Sequence, residues 1–305
     1  MAYRASDIRH IVTSRLHEDE AHLKSVFNQP GKIRCCWLDD LLPLEILNAA
    51  LGGLPEPGGM VRRQSLKERK YVSAALDQLG EATRNLVAAF SGQQIAEAVT
   101  GLMGGSRLHA DPRLYNGGIT KMMPGDFMCP HLDNSHNYDR TQRRAVVLLY
   151  YMSPQWREDY GGALELWDDD LKSPPRKIGH KSNRLVIMET TEHSWHAVRP
   201  ITGPQPRINI TTYYYDPKTE IVPARLTRFA PWPGQRMRGL YFDADFHMRS
   251  LATRVLGGAR PLLNGHINPE NQSAAGKTRG AFAFPLPKSG ASGSSEPDAK
   301  RPISG

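Results

Sequence analysis

Short hydrophobic runs separated by turn residues dominate the middle of the chain. Four of them follow one another beyond about Tyr115: AVVLLYY (Ala145–Tyr151), ALELW (Ala163–Trp167), RLVIME (Arg184–Glu189) and RINITTYYY (Arg207–Tyr215). β-Branched and aromatic residues are favoured in strands, and no long helical pattern separates these runs. The pattern therefore predicts an antiparallel sandwich or barrel rather than a parallel α/β sheet.

The N-terminal third of the chain has a helical pattern instead. Asp40 is a candidate N-cap for the segment LLPLEILNAAL, and Ser73 is a candidate N-cap for AALDQLGEATRNLVAAF. A further amphipathic stretch, IAEAVTGLM, follows them. We predict that these helices support the β-rich part by packing and carry no chemistry.

Composition sets the class of protein. The 305 residues are 39% hydrophobic, which is enough for a sizeable core. No run approaches the ~18 consecutive apolar residues of a membrane helix, and the start of the chain lacks the apolar segment of a secretory signal. The three cysteines, Cys35, Cys36 and Cys129, cannot form a disulfide framework or a four-thiolate zinc site. We therefore expect reduced thiols in a cytoplasmic protein with no membrane partner.

The positive charge is concentrated towards the C-terminus. From Pro217 onward there are 13 Lys and Arg against 6 Asp and Glu, a surplus of 7 out of a net charge of +8. These residues are scattered, without a dense basic run or an aromatic stacking pattern. A solvated surface is the favoured interpretation, and a nucleic-acid partner is not required.

One group of residues in the β-rich part has the side chains of a candidate functional site. It consists of His131-Leu132-Asp133, followed by His196 and then Arg207. Residues two apart in an extended segment project to the same face, so the first imidazole and the carboxylate can reach one point inside a barrel. A second imidazole from another strand completes the two-His, one-carboxylate ligand set of non-haem Fe(II) oxygenases. The planar fork of Arg207 suits two parallel hydrogen bonds to a carboxylate. An HxD pair by itself more often lies on a surface, so the other residues strengthen the metal hypothesis.

The sequence around these residues resembles a known family. The segments are MMPGDFMCPHLDNSHNYDRTQRRAVVLLYYMSPQWREDYGGALELWD, NRLVIMETTEHSWHAVRP and PRINITTYYYD. Over about Gly101 to Asp216 they resemble the 2-oxoglutarate and Fe(II)-dependent oxygenases of the prolyl-4-hydroxylase-like group. The resemblance implies a mainly β fold with flanking helices, whose core is a double-stranded β-helix, a jelly-roll barrel of the cupin-like type. It also implies Fe(II), 2-oxoglutarate as co-substrate and O₂.

The resemblance assigns roles residue by residue. His131, Asp133 and His196 match the iron ligands, and Arg207 matches the residue that holds the far carboxylate of 2-oxoglutarate. His193 competes for the role of the distal histidine. We favour His196 because the family's His-x-Val-x-Pro pattern begins there and Arg207 follows at the usual distance. The carboxylate at Asp133 implies hydroxylation or a related oxidation rather than halogenation.

Further residues are predicted to line the pocket. Asn209 and Thr211 share a face of their strand with the carboxylate-binding arginine, so we expect them beside the co-substrate, although a wet barrel rim is an equal alternative. Asn134, Arg140 and Arg144 lie where such enzymes usually meet the prime substrate. A loop rich in arginine is more often simply solvated.

The implied function is hydroxylation, or another oxidation, of an unactivated C–H bond in a small-molecule, amino-acid or peptide-like substrate, with succinate and CO₂ as co-products. One alternative is oxidative demethylation of nucleic acid, suggested by the Arg-x-Asn-x-Thr string at Arg207. It is disfavoured because those proteins carry a further arginine where this chain has Tyr213. The other alternative is a non-catalytic jelly-roll binding module.

We accordingly divide the chain into four parts. Residues 1–100 are the N-terminal helical support region, 101–216 the double-stranded β-helix catalytic core and 217–271 a basic C-terminal extension packing on the core. Residues 272–305 are rich in Gly, Ser, Pro and Lys and are predicted to be disordered. The extension has no motif that we can interpret, so a lid or a homodimer interface stays open as well.

Overall fold

The computed structural model describes residues 3–73, 75–219 and 225–255. The strands are β1 (Cys35–Leu38), β2 (Val61–Gln64), β3 (Arg69–Ser73), β4 (His109–Ala110), β5 (Gly118–Met122), β6 (Met128–Leu132), β7 (Arg143–Tyr151), β8 (Leu164–Trp167), β9 (Arg176–Ile178), β10 (Arg184–Glu189), β11 (Trp195–Val198), β12 (Arg207–Asp216) and β13 (Arg228–Phe229). The helices are α1 (Ala5–Glu18), α2 (Glu20–Phe27), α3 (Leu44–Gly52), α4 (Glu81–Phe90), α5 (Gln93–Met103) and α6 (Arg236–Val255). The predicted disordered tail, 272–305, lies outside the described residues, as does 256–271 of the extension.

The strands form two antiparallel sheets. The larger sheet has the order β1-β10-β7-β12-β5-β3-β2, with β4 paired to β12, and the smaller sheet has the order β13-β6-β11-β8-β9. Along the chain, β5, β7, β10 and β12 of the larger sheet alternate with β6, β8 and β11 of the smaller sheet. This alternation is that of a double-stranded β-helix. The predicted class, mainly β with flanking helices around a jelly-roll core, is confirmed.

Alternating side chains give the two faces of the larger sheet different cores. Leu148 and Tyr150 of β7 point to the outer face and are buried with the helices. Val147 and Tyr151 point to the inner face, where they meet Leu164 of the smaller sheet. The helices α2 and α5 contact β1 and β4. The helices thus pack on the outer face, and the inner face is buried against the smaller sheet.

The N-terminal region departs from its predicted helices in two places. The helix predicted to follow Asp40 is α3, and it begins only at Leu44. Pro43 is its N-cap, and a residue that precedes proline is disfavoured in the helical conformation. Ser73 does not begin a helix at all. It is the last residue of β3, and α4 begins only at Glu81. The strands β2 and β3 were missed because they are half-exposed and rich in charge, which hides the period of two.

The described part of the C-terminal extension lies on the smaller sheet. The strand β13 pairs with β6. Phe229, Trp232 and Phe242 are buried together with Trp167 and Trp195 of that sheet. Within the described residues, no helix has both the length and the apolar character needed to cross a bilayer.

Candidate metal centre and co-substrate pocket

Three buried side chains meet in the space between the two sheets. His131 lies on β6 and His196 on β11, and the two residues are directly paired across these neighbouring strands. Asp133 follows the end of β6. One ligand atom from each residue lies within 4.8 Å of the others. The Asp133 carboxylate is 3.8 Å from His131 Nε2 and 4.0 Å from His196 Nε2, so the three groups face one point.

Backbone carbonyl groups determine which nitrogen of each imidazole is free. His131 Nδ1 lies 3.0 Å from the carbonyl oxygen of Cys129, and His196 Nδ1 lies 2.9 Å from that of Ser194. Since a carbonyl oxygen can only accept, each Nδ1 carries the proton and each Nε2 keeps its lone pair. A hydrogen bond of this kind orients the imidazole of a metal ligand and raises its basicity. Both rings are therefore prepared to donate to one cation.

The protonation states in the cluster suit a divalent cation. Burial, followed by the charge of His196, lowers the pKa of His131 to about 3, so its ring is neutral. For Asp133, burial acts to raise the pKa, but His196 and Arg144 outweigh it and hold the pKa below its usual range. Its Oδ2 atom is buried and makes no hydrogen bond to the described residues. Two imidazoles that each turn Nε2 towards one point, and an ionised carboxylate whose Oδ2 lacks a hydrogen bond, fit Fe(II).

A buried guanidinium lies on the inner face of β12. Arg207 Nε donates to the carbonyl oxygen of Gly162 at 2.9 Å, and its Nη1 donates to Asn209 Oδ1 at 2.7 Å. Asn209 Nδ2 in turn donates to Thr211 Oγ1 at 2.9 Å. The remaining nitrogen, Nη2, is buried without a partner in the described part of the chain. An unpaired charged donor of this kind is suited to a ligand carboxylate.

Tyr151 adds a buried hydroxyl that interacts with this arginine. The guanidinium carbon of Arg207 lies 4.8 Å from the centre of the Tyr151 ring, and the Tyr151 hydroxyl is buried with no hydrogen bond to the described residues. His180 lies 4.3 Å from the same ring, and its Nε2 is 2.9 Å from Ser153 Oγ. Burial lowers the pKa of His180, so this support is neutral. A hydroxyl and a guanidinium nitrogen side by side suit one carboxylate group.

Comparison with known proteins agrees with this geometry. Residues 117–215 match the model of the 2OG-Fe(II) oxygenase superfamily. The matched region contains the three clustered side chains and the buried arginine. The name of the superfamily states its cofactor and co-substrate, Fe(II) and 2-oxoglutarate.

Individual relatives cover different shares of the chain. The oxygenase region is similar to the prolyl 3-hydroxylase OGFOD1 of Mus musculus, with 30% identity over 84 residues, which is 26% of this chain and 15% of that protein. The chain thus matches only a small part of that relative. Among solved structures, it is similar to a prolyl-4-hydroxylase of Pseudomonas putida (TM-score 0.48, 18% identity, 64% of this chain and 98% of that one). It is also similar to a prolyl hydroxylase of Trichoplax adhaerens in complex with a peptide fragment (TM-score 0.47, 21% identity, 67% and 94%).

The structure of this protein separates the two histidines that compete for the distal position. His196 lies in the cluster, whereas His193 lies at the surface with its side chain 70% exposed. His193 Nδ1 is 3.2 Å from a carboxylate oxygen of Asp170. The strand geometry explains this, because the exposed histidine precedes β11 while His196 points inward from it.

The residues predicted to meet the prime substrate are not equally close to the cluster. Arg144 is buried, with Nη1 3.8 Å from Asp133 Oδ2 and its guanidinium 3.6 Å over the ring of Tyr213. Asn134 is buried as well, and its Oδ1 has no hydrogen bond within the described residues. Arg140 instead occupies a turn with φ 59° and is half-buried.

Sequence reasoning missed three residues of this site. Tyr151 was included only in a predicted strand, yet it is paired across strands with Asn209, and its inward position follows from that register. Phe229 stacks on His131 with ring centres 5.3 Å apart, and Arg225 contacts the backbone of Asp133. These two residues lie beyond the matched region, in a segment without any motif.

Proposed function

We propose that the chain is an Fe(II) and 2-oxoglutarate-dependent dioxygenase that hydroxylates an unactivated C–H bond of a peptide-like or small-molecule substrate, with succinate and CO₂ as co-products. One observation carries the proposal. The convergent atoms of His131, Asp133 and His196 and the unpaired Nη2 of Arg207 all lie in the space between the sheets. A metal ligand set and a carboxylate anchor in one enclosed space are what this reaction requires.

Each residue has a definite task in the proposed reaction. His131, Asp133 and His196 hold the metal from one side and leave its other positions open. Arg207, oriented by Asn209, binds the far carboxylate of 2-oxoglutarate. When bound, Fe(II) with 2-oxoglutarate and O₂ supplies the oxidising power for insertion of oxygen into a C–H bond.

The substrate side supports a peptide-like group. Arg144 Nε is a buried donor without a hydrogen bond, and Asn134 Oδ1 is a buried acceptor without one, among the described residues. A donor and an acceptor together can satisfy the carbonyl oxygen and the N–H of one peptide group. The similar mouse protein is a prolyl 3-hydroxylase, which makes a prolyl residue in a peptide the first substrate to test. Arg140 would lie further out, at the rim.

The proposal has a direct test. Anaerobic addition of Fe(II) and 2-oxoglutarate should give a weak visible charge-transfer band, which His196→Ala abolishes and His193→Ala preserves. In air, a proline-containing peptide should raise succinate formation above the uncoupled rate, and mass spectrometry should detect a gain of one oxygen atom. Loss of the band in the His193 variant alone would reverse the choice of ligand.

Other candidate functions have less support. The ring of Tyr213, at the position where the nucleic-acid demethylases carry an arginine, packs on Arg144. We therefore adopt neither nucleic acid as substrate nor the non-catalytic binding module. A cytoplasmic location, proposed from three free and buried thiols, and a homodimer stay predictions.

A further inference from the structure

The C-terminal segment 225–255 contacts both stretches of chain that carry the clustered residues, although it lies outside the matched region 117–215. Arg225 is the residue that joins them. Its Nη2 donates to the carbonyl oxygen of Asp133 at 3.3 Å and to that of Thr191 at 3.1 Å. One nitrogen therefore connects the end of β6 with the turn that precedes β11.

Each of these carbonyl groups is closely linked to a clustered side chain. The Asp133 carbonyl belongs to the same residue as the carboxylate of the cluster. Thr191 is hydrogen-bonded to Ser194, the last residue of the turn. The Thr191 N–H donates to Ser194 Oγ at 2.9 Å, and the Ser194 hydroxyl donates to the Thr191 carbonyl oxygen at 3.1 Å. The carbonyl of Ser194 then accepts from His196 Nδ1. A shift of the Thr191 carbonyl would therefore move the group that orients the distal imidazole.

The backbone beside Arg225 fixes its position. Its N–H donates to Ser135 Oγ at 2.8 Å, and its carbonyl oxygen accepts from the Ser135 N–H at 3.0 Å. Four residues later, Phe229 pairs with His131 and stacks on its ring at an interplanar angle of 23°. The segment thus covers one imidazole with an aromatic ring and joins the other two ligand-bearing stretches with a guanidinium.

We propose that Arg225 is a positioning residue for the iron site, which it serves by holding the Asp133 and His196 stretches at the separation that one metal ion needs. The inference rests on the proposed function, since it assumes that the cluster binds a metal. It extends that function to a segment beyond the superfamily match. Arginine suits the task because the two N–H bonds of its Nη2 atom diverge in the guanidinium plane, so each can donate to a different carbonyl group.

The test measures metal affinity rather than turnover. Apo protein is titrated anaerobically with Co(II), whose visible absorption reports both occupancy and coordination geometry. Arg225→Met keeps the aliphatic bulk and removes the donors, so we expect about 10- to 100-fold weaker binding, the usual effect of losing an outer-shell partner. Arg225→Lys can keep one carbonyl contact and should bind with intermediate affinity.

A matched control comes from the same segment. Arg228 is half-exposed and pairs with Asp243 rather than with the Asp133 or Thr191 carbonyl. Arg228→Met therefore removes the same charge and should leave the Co(II) affinity unchanged. Thermal unfolding of the apo proteins separates a global loss of stability from a local effect. If Arg225→Met does not fold, the Arg225→Lys titration decides between the outcomes.

The outcomes separate two failures. If the wild-type protein does not bind Co(II), the proposed function is wrong. If the wild type binds Co(II) and a folded Arg225 variant binds it equally tightly with the same absorption spectrum, the iron-site role of Arg225 is wrong while the proposed function stands. Weaker binding with an altered spectrum in the Arg225 variants, and not in Arg228→Met, supports the inference.

Discussion

The space between the sheets holds two groups of site residues that are supported in different ways. The co-substrate end is Arg207 with its neighbours on β12, and the metal end is the cluster of His131, Asp133 and His196. Arg207 lies on β12, between β7 and β5, and its hydrogen-bonded neighbours Asn209 and Thr211 come from the same strand. His131 lies on β6, whose outer neighbour is the two-residue strand β13 of the C-terminal segment. The hydrogen bonds between side chains at the co-substrate end thus lie within one strand, with one further bond from Arg207 to the Gly162 carbonyl, whereas the metal end depends on segments far apart in the chain. Single substitutions should therefore separate the two binding functions.

The largest effect is expected at the metal end. Asp133→Ala removes the only carboxylate of the described cluster, so Co(II) affinity should fall by more than about 100-fold, beyond the usual loss from an outer-shell partner. Isothermal titration of the apo protein measures this affinity. His193→Ala is the control and should titrate like the wild type, because that side chain is exposed. Unchanged binding in Asp133→Ala would place the metal elsewhere.

The next effect should be confined to the co-substrate end. Arg207→Met leaves the 2-oxoglutarate carboxylate without its charged partner, which costs about 2–5 kcal/mol, or roughly 30- to 5,000-fold in affinity. Co(II) affinity should stay as in the wild type, since the arginine contacts none of the three clustered side chains. Arg157→Met, at an exposed ion pair with Asp159, is the control. A parallel loss of metal affinity would contradict the separation of the two ends.

The same difference explains what could be predicted from the sequence. On β12 the residues of the co-substrate end follow one another at a spacing of two, so Arg207, Asn209 and Thr211 share a face by strand geometry alone. At the metal end, spacing within the chain brings together only the HxD pair. The choice of His196 came from a family resemblance, and the structure adds its register opposite His131.

The remaining parts depend on tertiary contacts that leave little trace in the sequence. β13 contains only Arg228 and Phe229, which is too short for any periodic signal. β2 and β3 are charged strands at one end of the larger sheet, where β3 pairs with β5 and β2 forms the edge by pairing with β3, so their places are set by their partners rather than by their own pattern. Phe229 of β13 stacks on His131, so a part of the site's surroundings comes from a strand that no sequence pattern predicts.

A smaller effect tests the support within β12. Asn209→Ala removes the acceptor that lies 2.7 Å from Arg207 Nη1, so the guanidinium loses one of the hydrogen bonds that orient it. A hydrogen bond to a charged group is worth about 1.5 kcal/mol at the low end, so 2-oxoglutarate affinity should fall about 10-fold. Thr212→Val is the matched control, because Thr212 lies on the same strand but on its other face. Equal losses in the two variants would show a general effect on the strand.

Acidification tests the stability of the fold rather than the affinity of either site. His136 is buried, and burial, followed by the charges of Arg140 and Arg144, lowers its pKa from 6.5 to about 3. Between these values the unfolded chain binds a proton that the folded protein does not, so stability is full above pH 6.5 and falls as the pH decreases. From pH 7.5 to pH 5 this histidine should account for about 2 kcal/mol of the lost free energy of unfolding of the apo protein. Urea unfolding of wild type and His136→Gln at both pH values measures this share.

The control for this prediction is a histidine that the fold leaves in water. His193→Gln makes the same substitution at an exposed side chain, so the difference between the two variants reports the effect of burial at His136. His136→Gln should retain a residual slope, because burial also lowers the pKa of His180 at the co-substrate end. If His136→Gln and wild type lose the same free energy between the two pH values, the imidazole of His136 is already charged or solvated in the folded protein. Because the guanidinium of Arg207 stays charged throughout this range, we assign the residual slope at the co-substrate end to His180, whose ring lies against Tyr151.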